Sequence, residues 1–135
     1  HAQGERERDG VRVFSIDDAL ADADAVSLHL PYLAETHHLI TDHHLNLLKP
    51  GAILVNTARG AVLDTGALIR ALDSGQISRA ALDVFEEEPL PSDHPWEKRE
   101  DVILTPHVAF NTVDAFKALM IGALDNLEQF VLNQP

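Results

Sequence analysis

"AILVNTARGAVLDTGALIRALDSGQISRAALDVF", Ala52 to Phe85, is the stretch that decides the fold. It opens on "AILVNT", a near-continuous apolar run of the kind expected for a strand buried on both faces. "DTGALIRALDSG" reads as a helix, with Leu68, Ile69 and Leu72 on one side and Gly75 just past its end. "RAALDVF" then returns as a second buried strand. Strand, helix and strand in short succession make a βαβ unit, whose two strands run parallel.

The same alternation continues outward in both directions. Upstream, "VRVF" (Val11 to Phe14) reads as a short strand, and Ser15 is an N-cap for "IDDALADA". "AVSLHL" (Ala25 to Leu30) is the next strand, ended by Pro31. "TDHHLNLL" (Thr41 to Leu48) is a short helix with a capping residue in front and Leu45 and Leu48 at helical spacing, stopped by "KPG". Downstream, "EEEPLPSDHPWEKRED" is a long polar loop and "VILT" (Val102 to Thr105) a further strand. A helix from about Thr112 to Leu132 carries a stripe of Phe116, Leu119, Met120, Ala123, Leu127 and Phe130, expected to pack on its own domain. The fold class is therefore α/β, a parallel sheet with flanking helices, and right-handed crossovers are expected to place helices on both faces.

Bulk properties narrow the function. A chain of 135 residues, 45% of them apolar, is one domain at most and large enough for a real core. A formal charge of −12 argues against nucleic acid and, more weakly, against anionic membrane surfaces. There is no cysteine, hence no disulfide frame and no thiolate chemistry. No signal peptide and no membrane-length apolar run is seen, so a soluble, cytoplasmic protein is the default. The polar opening "HAQGERERDG", without a methionine, reads as the start of a piece of something longer.

In parallel α/β sheets, ligands bind beyond the carboxyl ends of the strands. Those tips carry His29-Leu30-Pro31, Asn56-Thr57-Ala58-Arg59-Gly60, Asp83 running into three glutamates, and Thr105-Pro106-His107. Taken singly, an arginine in an "RG" turn reads as a surface residue, a strand-end histidine as structural, and three consecutive glutamates as a solvated loop. Together at successive tips they suggest a site. Arg59 offers a two-pronged donor suited to a small carboxylate. A histidine shuttles protons near neutral pH, and a glutamate on one ring nitrogen fixes its tautomer. The set suits reduction of a 2-oxo acid, with hydride from a cofactor on the same sheet edge.

"VSLHLP", "LLKPGAILVNTARGAVLDTGALIRALDSGQI", "AALDVFEEEPLP" and "VILTPHVAF" together closely resemble the D-isomer-specific 2-hydroxyacid dehydrogenase family, in order and over nearly the whole chain. The resemblance implies a Rossmann-like cofactor domain that uses NAD or NADP, a separate substrate domain, a small 2-oxo or 2-hydroxy acid as substrate, and a homodimer in the intact enzyme. It implies that Arg59 binds the substrate carboxylate and polarises its carbonyl, that His107 is the general acid/base, and that Glu88 orients that histidine and favours its cationic form. Asp83 corresponds to the aspartate facing the nicotinamide carboxamide. His29, Leu30, Pro31, Thr57, Ala58 and Ala109, with Arg59 and His107 themselves, match segments lining the cofactor. Glu86 and Glu87 keep the reading of solvated acids.

Two departures from the family pattern stand out. No G-x-G-x-x-G cluster exists among the seven glycines, so the pyrophosphate loop is missing. Asn111 follows the phenylalanine of "HVAF", where lactate-type members often carry an aromatic. Residues 1–111 are thus expected to be the C-terminal portion of a dinucleotide-binding domain, with 112–135 a helix leading toward an absent substrate domain. The chain alone is expected to have little or no activity. The alternative is a corepressor-like dinucleotide-sensing protein of the same superfamily. The formate dehydrogenase branch is disfavoured, because it has glutamine where Glu88 stands.

The histidines of "THHLITDHH" (His37, His38, His43, His44) raise the question of a metal. His43 and His44 are adjacent, and neighbours on a helix point about 100° apart. No metal site is expected.

Overall fold

The computed structural model describes residues 6–8 and 10–133; residues 1–5 and 9 of the polar opening lie outside them. Two three-residue strands come first, β1 (Arg6–Arg8) and β2 (Val11–Val13), followed by α1 (Ile16–Ala21) and β3 (Ala25–Leu28). Then come α2 (Asp42–Leu47), β4 (Ala52–Asn56), α3 (Thr65–Asp73), β5 (Ile77–Leu82), β6 (Val102–Leu104) and α4 (Val113–Leu132). The helix starts follow the capping chemistry. Ser15 accepts from the Asp18 N–H (3.1 Å), Asp64 from the Ala67 N–H (2.9 Å), and Thr112 from the Ala115 N–H (3.1 Å).

Strands β3 to β6 form one parallel sheet in the order β3-β4-β5-β6, with Leu28 beside Asn56, Asn56 beside Leu82 and Leu82 beside Leu104. All four carboxyl ends therefore line up along one edge. The expected strand "VRVF" does not join this sheet. It pairs antiparallel with β1 as a separate ribbon, Arg8 opposite Val11. Asp9-Gly10, between them in sequence, is a hairpin signal, and Gly10 has the positive φ of 78° that such a turn needs.

The expectation of helices on both faces fails. Along β4, Ala52, Leu54 and Asn56 are buried, while Ile53 between them is 44% exposed. In β6, Ile103 is 67% exposed. The core lies on one face only, where Leu28, Leu54, Ala80, Leu82 and Val102 meet Leu45 of α2 and Leu68 and Leu72 of α3. The strand order explains this. Each right-handed crossover to the next strand in the same direction falls on the same side, and a second layer needs a reversal of order.

Two further segments depart from expectation. The polar loop after β5 is anchored: Trp96, 3% exposed, enters the core. Arg99 clamps Asp101 with two bonds (2.8 and 2.7 Å) and reaches Asp73 of α3 at 2.6 Å. Helix α4 does not pack on its own domain. None of its residues is buried, and the expected stripe, Phe116 to Phe130, faces solvent. Its sequence explains formation but not docking. Thr112 caps it and good helix formers fill it, but local signals do not say what covers the stripe. No described helix is long and apolar enough to cross a membrane.

Candidate active site

Asn56, 1% exposed, ends β4 on the inward face. Its Nδ2 donates to the Arg59 carbonyl (3.1 Å), and its Oδ1 accepts from the Ala58 N–H (3.1 Å). One buried amide thus folds the "NTARG" loop back on its own strand and turns Arg59 outward. Gly60 follows because nothing larger fits. A Cβ there would lie 2.0 Å from the Phe85 carbonyl carbon. The Arg59 loop and the Phe85 loop are therefore in direct backbone contact.

Asp83, 3% exposed, ends β5 and organises the tip of β6. Its Oδ1 accepts from the Thr105 hydroxyl (2.5 Å) and the Val108 N–H (2.9 Å), and its Oδ2 from the Ala109 N–H (2.9 Å). Burial opposes its ionisation, but these hydrogen bonds outweigh burial and hold the carboxyl below its ordinary value. The clip fixes the turn in which His107 sits with a φ of 54°, a left-handed conformation costly for a side chain with a Cβ.

His107 Nδ1 lies 2.7 Å from Glu88 Oε2, and Glu88 Oε1 accepts from the Phe85 N–H at 2.9 Å. Glu88 is thus aimed by its own turn. The hydrogen bond to His107 is the largest influence on its carboxyl, which it lowers below the ordinary value. The Glu88–Pro89 peptide is cis. With Nδ1 on Glu88, the other ring nitrogen of His107 is left for proton exchange.

Pro31, Arg59, Glu88 and His107 all line one open cleft of about 640 Å³. Within it the Arg59 Nη1 donates to the Ala58 carbonyl (2.6 Å). The other predicted residues sit elsewhere. His29 and Leu30 border a separate hollow beside α1, where His29 Nε2 is 2.8 Å from Ser27 Oγ. Thr57 is exposed on the turn between Asn56 and Arg59, and Ala58 is half-buried there. Asp83 and Ala109 are bonded to each other.

The sequence reading missed two contributors. Asn56 was legible as a polar residue at an inward-facing strand position, which has to be hydrogen-bonded. Glu86, read as a solvated acid, lines the cleft and accepts from the Thr65 N–H of α3 (3.2 Å), with His38 Nε2 3.0 Å from its other oxygen. Partial burial opposes its ionisation, yet these partners hold its carboxyl below the ordinary value. Nothing local marks Glu86 out from Glu87. The four histidines do not converge: His37 stacks on His38 (centroids 4.1 Å apart), and His43 and His44 lie against α1.

Fold and strand tips together define an α/β domain of the parallel-sheet class, whose ligands lie beyond the carboxyl ends of the strands. Comparison with known proteins narrows the class. The family described as D-isomer specific 2-hydroxyacid dehydrogenase, NAD binding domain, matches residues 1–109, and the chain belongs to that family. A glyoxylate reductase of Aeropyrum pernix is 48% identical over 121 residues, which are 90% of this chain and 36% of that protein. A D-isomer specific 2-hydroxyacid dehydrogenase from Xanthobacter autotrophicus Py2, solved in complex with NADPH and MES, superposes with a TM-score of 0.78 at 38% identity, covering 89% of this chain and 38% of the other. A glyoxylate reductase from Paecilomyes thermophila gives a TM-score of 0.80 at 38% identity, covering 89% and 36%. The chain thus spans little more than a third of the length of these relatives.

Proposed function

We propose that this chain supplies the acid/base and carboxylate-binding half of an NAD(P)H-dependent reductase of small 2-oxo acids, with glyoxylate as the substrate class suggested by its relatives. The observation that carries the reading is the 2.7 Å Glu88–His107 pair opening onto the same cleft as Arg59. Residues 1–111 are the C-terminal portion of the dinucleotide-binding domain, and 112–135 lead toward the substrate domain.

Arg59 binds the substrate carboxylate and polarises the adjacent carbonyl. Glu88 on Nδ1 leaves the opposite nitrogen of His107 to donate a proton to the carbonyl oxygen, turning the C=O into CH–OH. NAD(P)H, when bound, would supply the hydride that the carbonyl carbon receives. In this reading Asp83, Pro31, Thr57 and Ala58 would hold the reactive end of that cofactor. Asp83 Oδ2 takes one hydrogen bond and keeps a lone pair that suits a carboxamide N–H, and Pro31, Thr57 and Ala58 edge the same strand tips. The phosphate end has no glycine loop in this chain, so the chain alone is expected to bind NADH weakly and to show little or no turnover.

In the intact enzyme, His107→Ala is expected to abolish glyoxylate reduction while cofactor affinity stays near normal. Arg59→Lys is expected to raise KM and lower kcat, since lysine cannot fork. Steady-state kinetics with glyoxylate and hydroxypyruvate check both, and a silent Arg59→Lys would remove the carboxylate anchor. Fluorescence titration of the isolated chain with NADH checks the rest, because micromolar binding would show that the glycine loop is dispensable. The reading also carries a homodimer in the intact enzyme, supported by the uncovered stripe of α4 and read by light scattering.

A further inference from the structure

We propose that Asp17, His43 and His44 form a binding site for a divalent transition-metal ion of the zinc type, joining α1 to α2. On α2 the two adjacent imidazoles meet edge to face, with ring planes 75° apart and centroids at 5.1 Å. Packing of α1 against them supplies what the helix lacks. Asp17, in the first turn of α1, presents one carboxylate oxygen to each ring: Oδ2 lies 3.4 Å from His43 Nε2 and Oδ1 3.8 Å from His44 Nε2. One ligand atom from each residue falls within 4.8 Å of the other two. Ligands around a single tetrahedral ion, at bonds of about 2.1 Å, stand roughly 3.4 Å apart. The cluster therefore needs only a small contraction, and the exposed side chains of His43 and Asp17 are free to make it.

The donor chemistry selects the ion. Two imidazole nitrogens and one carboxylate oxygen suit Zn2+, whereas Mg2+ and Ca2+ prefer all-oxygen shells. His44 is the fixed ligand. Its side chain is only 15% exposed, and its Nδ1 lies 3.2 Å from the Thr41 hydroxyl and 3.4 Å from the Thr41 N–H. With Nδ1 accepting from the Thr41 N–H, Nε2 carries the ring proton toward Asp17; a metal ion on Nε2 takes that proton's place as Nδ1–H turns to the Thr41 hydroxyl and the long backbone bond is given up. Competing partners are few. No lysine or arginine pairs with Asp17 among the described residues, and neighbouring Asp42 is engaged by Arg70 at 2.8 and 2.6 Å. A chain of net charge −12 also concentrates cations near its surface. None of the three ligands lines the cleft of Arg59 and His107, so the site is independent of the proposed reaction. Its consequence is mechanical: an ion held by both helices stabilises the folded chain by mass action.

The test is calorimetric titration of the chelator-treated chain with ZnCl2, beside thermal unfolding followed by circular dichroism. One Zn2+ per chain is expected, with micromolar affinity and a Tm raised by several degrees at saturation. Asp17→Ala and His43→Ala change exposed side chains and leave the fold intact. Each is expected to weaken binding at least tenfold and to cancel the rise in Tm. His37→Ala, outside the cluster, is expected to change neither. Absence of saturable 1:1 binding, or equal binding in Asp17→Ala and His43→Ala, would overturn the site. An equal rise in Tm with MgCl2 would overturn the choice of ion.

Discussion

His107 shows how much one residue can ask of its surroundings. Its φ of 54° suits glycine, yet an imidazole stands there, 2.7 Å from Glu88. Asp83 holds the turn by receiving the Val108 and Ala109 N–H groups and the Thr105 hydroxyl. Two outcomes follow. His107→Gly should be more stable than His107→Ala by about 1 kcal/mol, because both lose the Glu88 contact but only alanine keeps the left-handed penalty; urea denaturation of the two variants measures the difference. Asp83→Asn should cost about 1–3 kcal/mol, since an amide puts donors or a weaker acceptor against backbone N–H groups. Hydrogen exchange at Val108 and Ala109 should accelerate selectively in that variant.

At the scale of elements, the site is a meeting of loops rather than a property of any strand. The Arg59 loop touches the Phe85 loop through Gly60, and Glu86 ties the latter to α3 and to His38. Gly60→Ala should therefore destabilise by about 1–3 kcal/mol, because backbone must shift to admit the methyl group. It should also lower kcat of the intact enzyme by separating Arg59 from His107; denaturation together with kinetics separates the two effects. Helix α4 behaves oppositely. Nothing on it is buried, so Leu127→Ser should change the stability of this chain by less than about 0.5 kcal/mol. A loss of several kcal/mol in thermal unfolding would mean that the helix docks on the sheet.

For the molecule as a whole, charge sets the pH range of stability. Arg70 lowers the Asp42 carboxyl, Arg99 lowers that of Asp101, and His107 that of Glu88. At Asp83 and Glu86, hydrogen bonds outweigh the opposing effect of burial and lower theirs too. Each folded pKa lies below the ordinary 3.8 to 4.5, so this stabilisation is complete above that range and disappears as pH falls through the depressed values. Acidification toward the pI of 4.8 meanwhile relieves the self-repulsion of a −12 chain. Urea midpoints across pH 3–8 should be highest near pH 5 and drop steeply below about pH 4.

What the amino-acid sequence determined by itself is the run of local elements and the content of the strand tips. Apolar runs, caps and breakers act within a few residues, so "AILVNT", the α3 helix and the Thr112 cap are all legible. Spacing alone does not single out Glu88; the family resemblance does, and the structure places its carboxylate on His107. Tertiary structure alone decided which surfaces meet. The monotonic strand order left one sheet face bare, although "AILVNT" reads as buried on both. Asp83 became a clip, Glu86 a tie, and α4 remained uncovered. Asp17 came to lie against two histidines of another helix. The physical reason is common to all of these. A side chain's direction along its element follows from the local period, whereas its partner across space depends on how distant elements pack, and no short window of sequence contains that.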